Sequence, residues 1–370
     1  KISPIQINSC LNWQEFFYFC NMIDYLIVGS GLAGIAFAET ALENNKSILV
    51  FDNDSQQSSK VAGGLYNPVI LKRFSEVWEA QNQIDLLNSF YGKLEKKLNA
   101  KFDFKIPIYR KLFSVEEQNN WFIASDKIGL APFLSSKLMS KKYDGIDSPF
   151  NYGEVLQTGY LDTDIFLDSY HHFLTTEDLL VKDAFDHSLL EIHTDFVEYE
   201  NIQAKNIIFA EGFGMLQNPY FSKLPLDGTK GELLIIKVPN LNLDVVVKTS
   251  VFILPLGNDL YKVGATYNWN DKTNLPTEEG KKELLENLKE ILNTDFEIVE
   301  HLAGVRPTVK DRRPMIGTHP NHGRIHLLNG LGTRGVMLAP AMAKALFENI
   351  EFQIPLDKTI DIKRFKKVQW

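Results

Sequence analysis

The stretch Tyr25-Leu26-Ile27-Val28-Gly29-Ser30-Gly31-Leu32-Ala33-Gly34 decides the fold. Four apolar residues, read as a short buried strand, run into a G-x-G-x-x-G turn. Residues 32–44 then carry a helical pattern rich in small side chains such as Ala33, Ala36, Ala38 and Ala41. A second apolar run, 47–51, ends on Asp52. Strand, glycine turn, helix, strand and acid is the order in which this glycine spacing carries a mechanism. Gly29 permits the tight turn, Gly31 lets the backbone approach a pyrophosphate, and Gly34 lets helix and strand pack closely. The helix start offers unpaired N–H groups to phosphates. Asp52, about twenty residues on, stands where a carboxylate holds a ribose hydroxyl. The stretch predicts a dinucleotide site and leaves NAD and FAD both open.

Upstream, residues 1–21 hold both cysteines, Cys10 and Cys20, and Met22 stands immediately before the first strand. The apolar cluster Phe16-Phe17-Tyr18-Phe19 is short for a signal sequence and lacks a small-residue cleavage site. We expect residues 1–21 to lie outside the working fold. No cysteine follows Cys20, so disulfides cannot staple the core, which fits a reducing, cytoplasmic setting.

Downstream, a polar loop leads to Val61-Ala62-Gly63-Gly64-Leu65-Tyr66-Asn67-Pro68, whose paired glycines mark a sharp turn or a close approach. Val77, Ile84, Tyr91 and Leu98, with Ala80, Leu87 and Leu94, predict a long amphipathic helix. A strand over 106–114 and a helix over 115–127 follow. Thr158-Gly159 is read as the end of a strand, and Asp162 or Thr163 as the cap of a helix through Phe173. Strand-like runs stand near 179–181 and 188–192. The run from Asn206 to Gly212 predicts another buried strand, ending in glycine at the carboxyl edge of an α/β sheet where ligands gather. Residues 231–238, 245–254 and 260–269 read as successive strands without helices between them. They imply an antiparallel or mixed sheet and a second domain, interrupted by a helix over 277–292.

The last informative region is Gly304-Val305-Arg306-Pro307-Thr308-Val309-Lys310-Asp311-Arg312-Arg313-Pro314-Met315-Ile316-Gly317. After a strand over 325–328 comes Asn329-Gly330-Leu331-Gly332-Thr333-Arg334-Gly335-Val336, three glycines in six positions. A helix through residue 350 begins there, with Pro340 expected in its first turn. The net charge of −8 argues against a broad sequence-independent nucleic-acid surface. No run approaches the roughly 18 apolar residues of a membrane helix. The eight histidines show no metal-ligand spacing, so no metal is expected.

The N-terminal fingerprint, the Ala62-Gly63-Gly64 segment, the pattern G-x-R-P-x(3)-D-x-x-P-x-x-G and the C-terminal glycine turn together resemble the D-amino-acid oxidase superfamily. The glycine oxidase and sarcosine oxidase branch is the most similar in organisation, over residues 22 to about 350. The resemblance implies FAD, and a fold of the α/β class. It also implies a discontinuous Rossmann-like FAD domain over 22–90, 155–222 and 300–352. A substrate domain with a mixed or antiparallel sheet would take 91–154 and 223–299, leaving 353–370 as a tail. By the same resemblance Gly29, Gly31 and Gly34 hold the pyrophosphate and Asp52 the ribose. Ala62, Gly63 and Gly64 pass along the flavin, near Gly212, and Gly332, Thr333, Arg334, Gly335 and Val336 line its pyrimidine edge. Arg306 grips a substrate carboxylate, for which a guanidinium fork is suited. Tyr66, Tyr261 and Tyr267 are within the segments that could reach a substrate, though among 13 tyrosines packing is the commoner role; Tyr66 and Tyr267 are taken as the candidates. Within the family, monomeric sarcosine oxidases attach flavin through a C-terminal cysteine and other branches through a histidine near the second glycine segment. This chain has neither, so FAD is expected to be noncovalent.

The resemblance implies oxidation of the C–N bond of a small carboxylate-bearing amine or amino acid, with hydride passing to flavin N5 and oxygen or another acceptor taking the electrons. The same motifs resemble the FAD domain of bifunctional tRNA wobble-uridine modification enzymes, whose substrate is a secondary amine bearing a carboxylate. A flavin-bearing protein without turnover is the third reading.

Overall fold

The strand Ile23–Val28 buries all but its first residues because each face meets its own apolar layer. Tyr25 and Ile27 pack into one core cluster, Leu26 and Val28 into another. A continuous apolar run is what a parallel strand covered on both sides requires. The structure, a computed structural model, describes residues 22–370; the expectation for residues 1–21 lies outside them.

Five parallel strands form the centre of the first sheet, in the order Leu180–Val181, Ile48–Phe51, Ile23–Val28, Ile202–Phe209 and His322–Asn329. Antiparallel additions, Val197–Tyr199 with Leu190–Ile192 and Met315–His319, complete eight strands. Helix α1 (Leu32–Glu43) lies against α6 (Gly335–Phe352) on one face. Phe37 of α1 meets Tyr25 edge-on at 5.1 Å, with Phe347 of α6 completing the cluster.

The second sheet also has eight strands, in the order Glu297–Val309, Leu226–Lys237, Leu260–Gly264, Phe252–Gly257, Val246–Lys248, Ile108–Lys111, Tyr152–Val155 and Leu134–Met139. Every pairing is antiparallel except Val246–Lys248 with Ile108–Lys111. The mixed α/β architecture expected from the sequence is therefore the one observed. A small sheet of Leu65–Tyr66, Gly159–Leu161 and Asp103–Lys105 stands apart from both. The remaining helices are α2 (Ala80–Leu98), α3 (Val115–Ser125), α4 (Thr163–Thr176) and α5 (Glu278–Leu288). No described helix is long and apolar enough to cross a membrane.

Several local expectations change. Gly159 begins a strand instead of ending one. The 245–254 run breaks in two where Thr249 N–H bonds Val251 O. Helix α2 starts at Ala80 because Glu79 sits in the left-handed region at φ 52°. The strand Glu297–Val309 pairs along its length with Leu226–Lys237, so the chain rejoins the parallel sheet at Met315 and not at residue 300. Residues 353–370 are packed down by Ile360 and Ile362, both buried, the first beside Ile316.

Pro340 is the sixth residue of α6, not part of its first turn, since Gly332–Arg334 forms a separate 3-10 turn first. Lacking an N–H, Pro340 cannot satisfy the carbonyl of Val336 one turn earlier. The Tyr91 hydroxyl of α2 donates to that carbonyl at 3.0 Å instead.

Candidate functional site

A cleft of about 320 Å³ opens at the carboxyl ends of the parallel strands, where Val28, Phe51, Ala210 and Asn329 line it. This is where an open α/β sheet binds ligands. The glycine turn stands at its floor. A side chain on Gly29 (φ 101°) would meet Ala210 O at 2.5 Å, so the turn must pass this close to the neighbouring strand. Gly31 lines the cleft; Gly34 does not. A methyl there would strike Gly29 O, so Gly34 serves the packing of helix on turn and makes no lining contact.

The turn is braced by side chains that the motif does not reveal. Asp52 Oδ2 accepts from Ser30 N–H and from its hydroxyl, and Oδ1 accepts from Asp54 N–H at 2.6 Å. His171 Nε2 of α4 lies 2.7 Å from Ser30 Oγ. Asp52 also lines the cleft. A carboxylate has about four acceptor sites, so these bonds leave room for a hydroxyl.

Two helix starts face the same cleft: Gly31, Leu32 and Ala33 at α1, and Thr333, Gly335 and Val336 at α6. Neither is capped by its own N-cap side chain or has an acid in its first turn, although Ser59 Oγ accepts from the Leu32 N–H of α1 at 3.2 Å. Helices α3, α4 and α5 are each capped, by Ser114, Asp162 and Thr277, while α2 starts uncapped outside the cleft. Two such starts converging on one cleft leave oriented N–H groups and positive dipole ends for an anionic, electron-rich ligand. The cleft therefore fits FAD, a ligand of that character.

Ala62, Gly63 and Gly64 form one wall. Lys262 Nζ holds Ala62 O at 3.3 Å, and a methyl on Gly63 would meet the Phe252 ring at 2.8 Å. Gly212 lines the cleft with its carbonyl held by the Asn329 amide at 2.8 Å, and Asn329 Oδ1 in turn accepts from Gly330 N–H. Gly332 also lines it. Arg334 does not: its side chain is set beside Arg312 and Arg313, and burial, then those neighbours, hold it below the usual guanidinium range.

Arg306 and Tyr267 come together at the opening. The guanidinium lies over the Tyr267 ring at 4.8 Å and donates one bond, 3.1 Å, to Thr266 O. It occupies the space above Gly231, where a methyl would fall 1.8 Å from Nη2. Burial lowers its pKa, and Tyr267 opposes that. Among the described residues no carboxylate pairs with it, so it is no interdomain salt bridge. Four of its five N–H donors are free to take an anion. The loop that carries Tyr267 is tied down by the fully buried Lys230, whose ammonium donates to Asp271 and to Leu275 O.

Tyr66 is placed elsewhere. Its hydroxyl donates to Asp103 at 2.7 Å and accepts from Lys105 at 2.8 Å within the small sheet, and it does not line the cleft. Burial, then Asp103, pushes its phenol far above the usual range. It braces that sheet. Among the described residues no group of three or more His, Cys, Asp or Glu is arranged to hold a metal ion.

Known proteins are similar to this chain. Glycine oxidase of Bacillus subtilis (strain 168) is 22% identical over 343 residues, covering 85% of this chain and 89% of the oxidase. The bifunctional tRNA 5-methylaminomethyl-2-thiouridine biosynthesis protein MnmC of Shewanella sediminis is 28% identical over 228 residues. That match covers 48% of this chain and only 31% of the bifunctional protein. The crystal structure of iminodiacetate oxidase from Chelativorans sp. BNC1 superposes with a TM-score of 0.75 at 17% identity, covering 91% of this chain and 98% of that one; at this identity it shows the fold. The family model described as DAO, FAD dependent oxidoreductase, matches residues 24–349, which takes in both sheets and the whole cleft lining. The chain belongs to the DAO family of FAD-dependent oxidoreductases.

Proposed function

We propose that this enzyme oxidises the C–N bond of a small amine or amino acid that bears a carboxylate, with oxygen as the acceptor. The observation that carries the reading is Arg306, a buried guanidinium with no acid partner, aimed into the flavin cleft beside Tyr267. FAD, when bound, accepts the two electrons of the oxidation. The chain supplies position. Arg306 takes the carboxylate as a bidentate pair, the Tyr267 ring covers one face of the guanidinium, and Phe252 and Leu233 give an apolar wall. With the acid fixed, the neighbouring amine carbon is held toward the flavin wall of Ala62, Gly63 and Gly64. No acid–base pair is required, because the neutral amine's own lone pair assists. The Bacillus subtilis relative is a glycine oxidase, which agrees with a small carboxylate-bearing amine.

The test is a peroxide-coupled screen of amino acids and N-alkyl glycines on flavin-loaded protein, with anaerobic bleaching of the flavin as second readout. Failure of every carboxylate-bearing amine to bleach the flavin would overturn the reading.

A second reading, modification of a tRNA wobble nucleoside, is favoured by the MnmC relatives and by the rim. There Tyr267, 58% exposed, lines the cleft, and the exposed Trp269 follows two residues later. Such faces can stack bases. A gel shift with bulk tRNA, absent at moderate salt, would dismiss it.

A further inference from the structure

A second pair of cations stands on the face of the mixed sheet that floors the cleft. Direct pairings place Leu233, Gly264, Phe252, Lys248, Arg110 and Gly153 in one row across six strands. Side chains of directly paired residues point to the same side, so this row shares the face of Leu233 and Phe252, which line the cleft. Gly264 leaves a gap between those two. The Lys248 ammonium lies 5.9 Å from the centre of the Phe252 ring, behind the wall the flavin segment touches. At the far end a methyl on Gly153 would strike Trp121, whose ring closes the row.

Neither cation has a partner among the described residues. Arg110 Nε is buried with no hydrogen bond. Lys248 makes no hydrogen bond and no ion pair, and the only charge bearing on it is Arg110 beside it. Burial, then Arg110, pushes its ammonium down to about 8. Glu154 and Tyr109 alternate to the opposite face and do not compensate. An unpaired buried charge is costly, and two of one sign side by side more so.

We infer that Lys248 and Arg110 form a second anion subsite in the substrate space, and that the substrate is an amine with two acids. One is a carboxylate beside the amine, on Arg306; the other is an acidic group at the end of an arm that passes Phe252. The inference rests on the proposed role of Arg306. The Arg306 guanidinium stands over Gly231, whose strand is three spacings from the strand of Lys248, about 14 Å between backbones. The arm is therefore several atoms long, and a single carbon does not bridge the two sites.

The test titrates flavin absorbance of the holoenzyme with linear diacids from succinate to pimelate, each against its monomethyl ester. An ω-phosphonocarboxylate of matching length distinguishes a carboxylate tail from a phosphate tail. The expected result is a length optimum at which the diacid binds at least tenfold more tightly than its half-ester. That advantage disappears in Lys248→Met and Arg110→Met, while half-ester affinity holds. Lys248→Gln and Arg110→Lys, less disruptive to packing, should lose it and keep part of it, respectively, at unchanged flavin content. Equal binding of diacid and half-ester by the wild type at every length overturns the subsite, as does an advantage that survives in folded Lys248 and Arg110 variants. If Arg306→Leu leaves half-ester affinity unchanged while the diacid preference still follows Lys248, the subsite stands and the Arg306 reading fails.

Discussion

Arg306 is positioned by the absence of a neighbour. Gly231 leaves the space it fills, and Tyr267 covers it. Replacing Arg306 with leucine should leave FAD bound and weaken carboxylate ligands by about 2–5 kcal/mol, because a desolvated charge-assisted pair is lost. That is roughly thirty- to several-thousand-fold in affinity. Lysine should recover part, having charge without the fork. Gly231→Ala should weaken the same ligands at least about tenfold, since its methyl displaces the guanidinium. Titrating benzoate against the flavin spectrum of the three variants checks both expectations. Unchanged affinity in the leucine and alanine variants, with normal flavin content, would refute the clamp. Residue type and the G-x-R-P pattern made Arg306 legible. Tyr66 and Tyr267 were indistinguishable in the sequence, because a tyrosine's environment is set by the strands around it. The lack of an acid near Arg306 is likewise a fact of packing.

Helix α6, whose start lines the cleft, is stapled to α2 by a single side chain. Pro340 removes one bond of α6 just behind its cleft-facing start, and Tyr91 of α2 replaces it. Tyr91→Phe should destabilise the protein by about 1–3 kcal/mol, the cost of leaving a buried carbonyl unsatisfied. Adding Pro340→Ala restores an N–H to that carbonyl and should recover much of the loss. Thermal melts of the two single variants and the double variant check this; a double variant no more stable than Tyr91→Phe alone would show that the carbonyl is not the cause. A tie between residues 245 apart leaves no local signature. Helix α6 was visible from its small apolar residues and glycine turn, but its starting point depended on the 3-10 turn before it.

Across the whole molecule, the described residues 22–370 contain both sheets and the cleft formed at their meeting, and the first strand begins at Ile23. A chain starting at Met22 should therefore fold and bind FAD as the longer one does, and an insoluble or flavin-free truncation would show otherwise. The protein should be yellow and release FAD on acid precipitation, since neither attachment residue of the family is present. Acid should also destabilise it through two histidines. His326 is buried between Thr318 Oγ1 at 2.9 Å and Asn206 Oδ1 at 3.1 Å, and burial holds its pKa down at about 3. Burial, then His322, holds His319 at about 4. Both have an ordinary value of 6.5, so below it the unfolded chain binds more protons than the folded one. Stability is then lost as pH falls from there toward the folded values, by up to about 1.4 kcal/mol per pH unit for each histidine. Melts from about pH 7.5 to about pH 5 should show the decline, and His326→Gln should make it shallower.

The sequence by itself determined the dinucleotide turn, the covered parallel strand behind it, the alternation of a parallel and a mixed sheet, and the family that needs FAD. These are local properties: glycine spacing, apolar period and turn chemistry act within a few residues of one another. The tertiary structure alone decided which tyrosine lines the cleft, that Arg306 lines it while Arg334 does not, and that the chain rejoins the parallel sheet at Met315. It alone brought Lys248 and Arg110 into one row with Phe252. Each of these depends on strand register between segments distant in the chain, and a shift of one residue would turn every side chain to the other face.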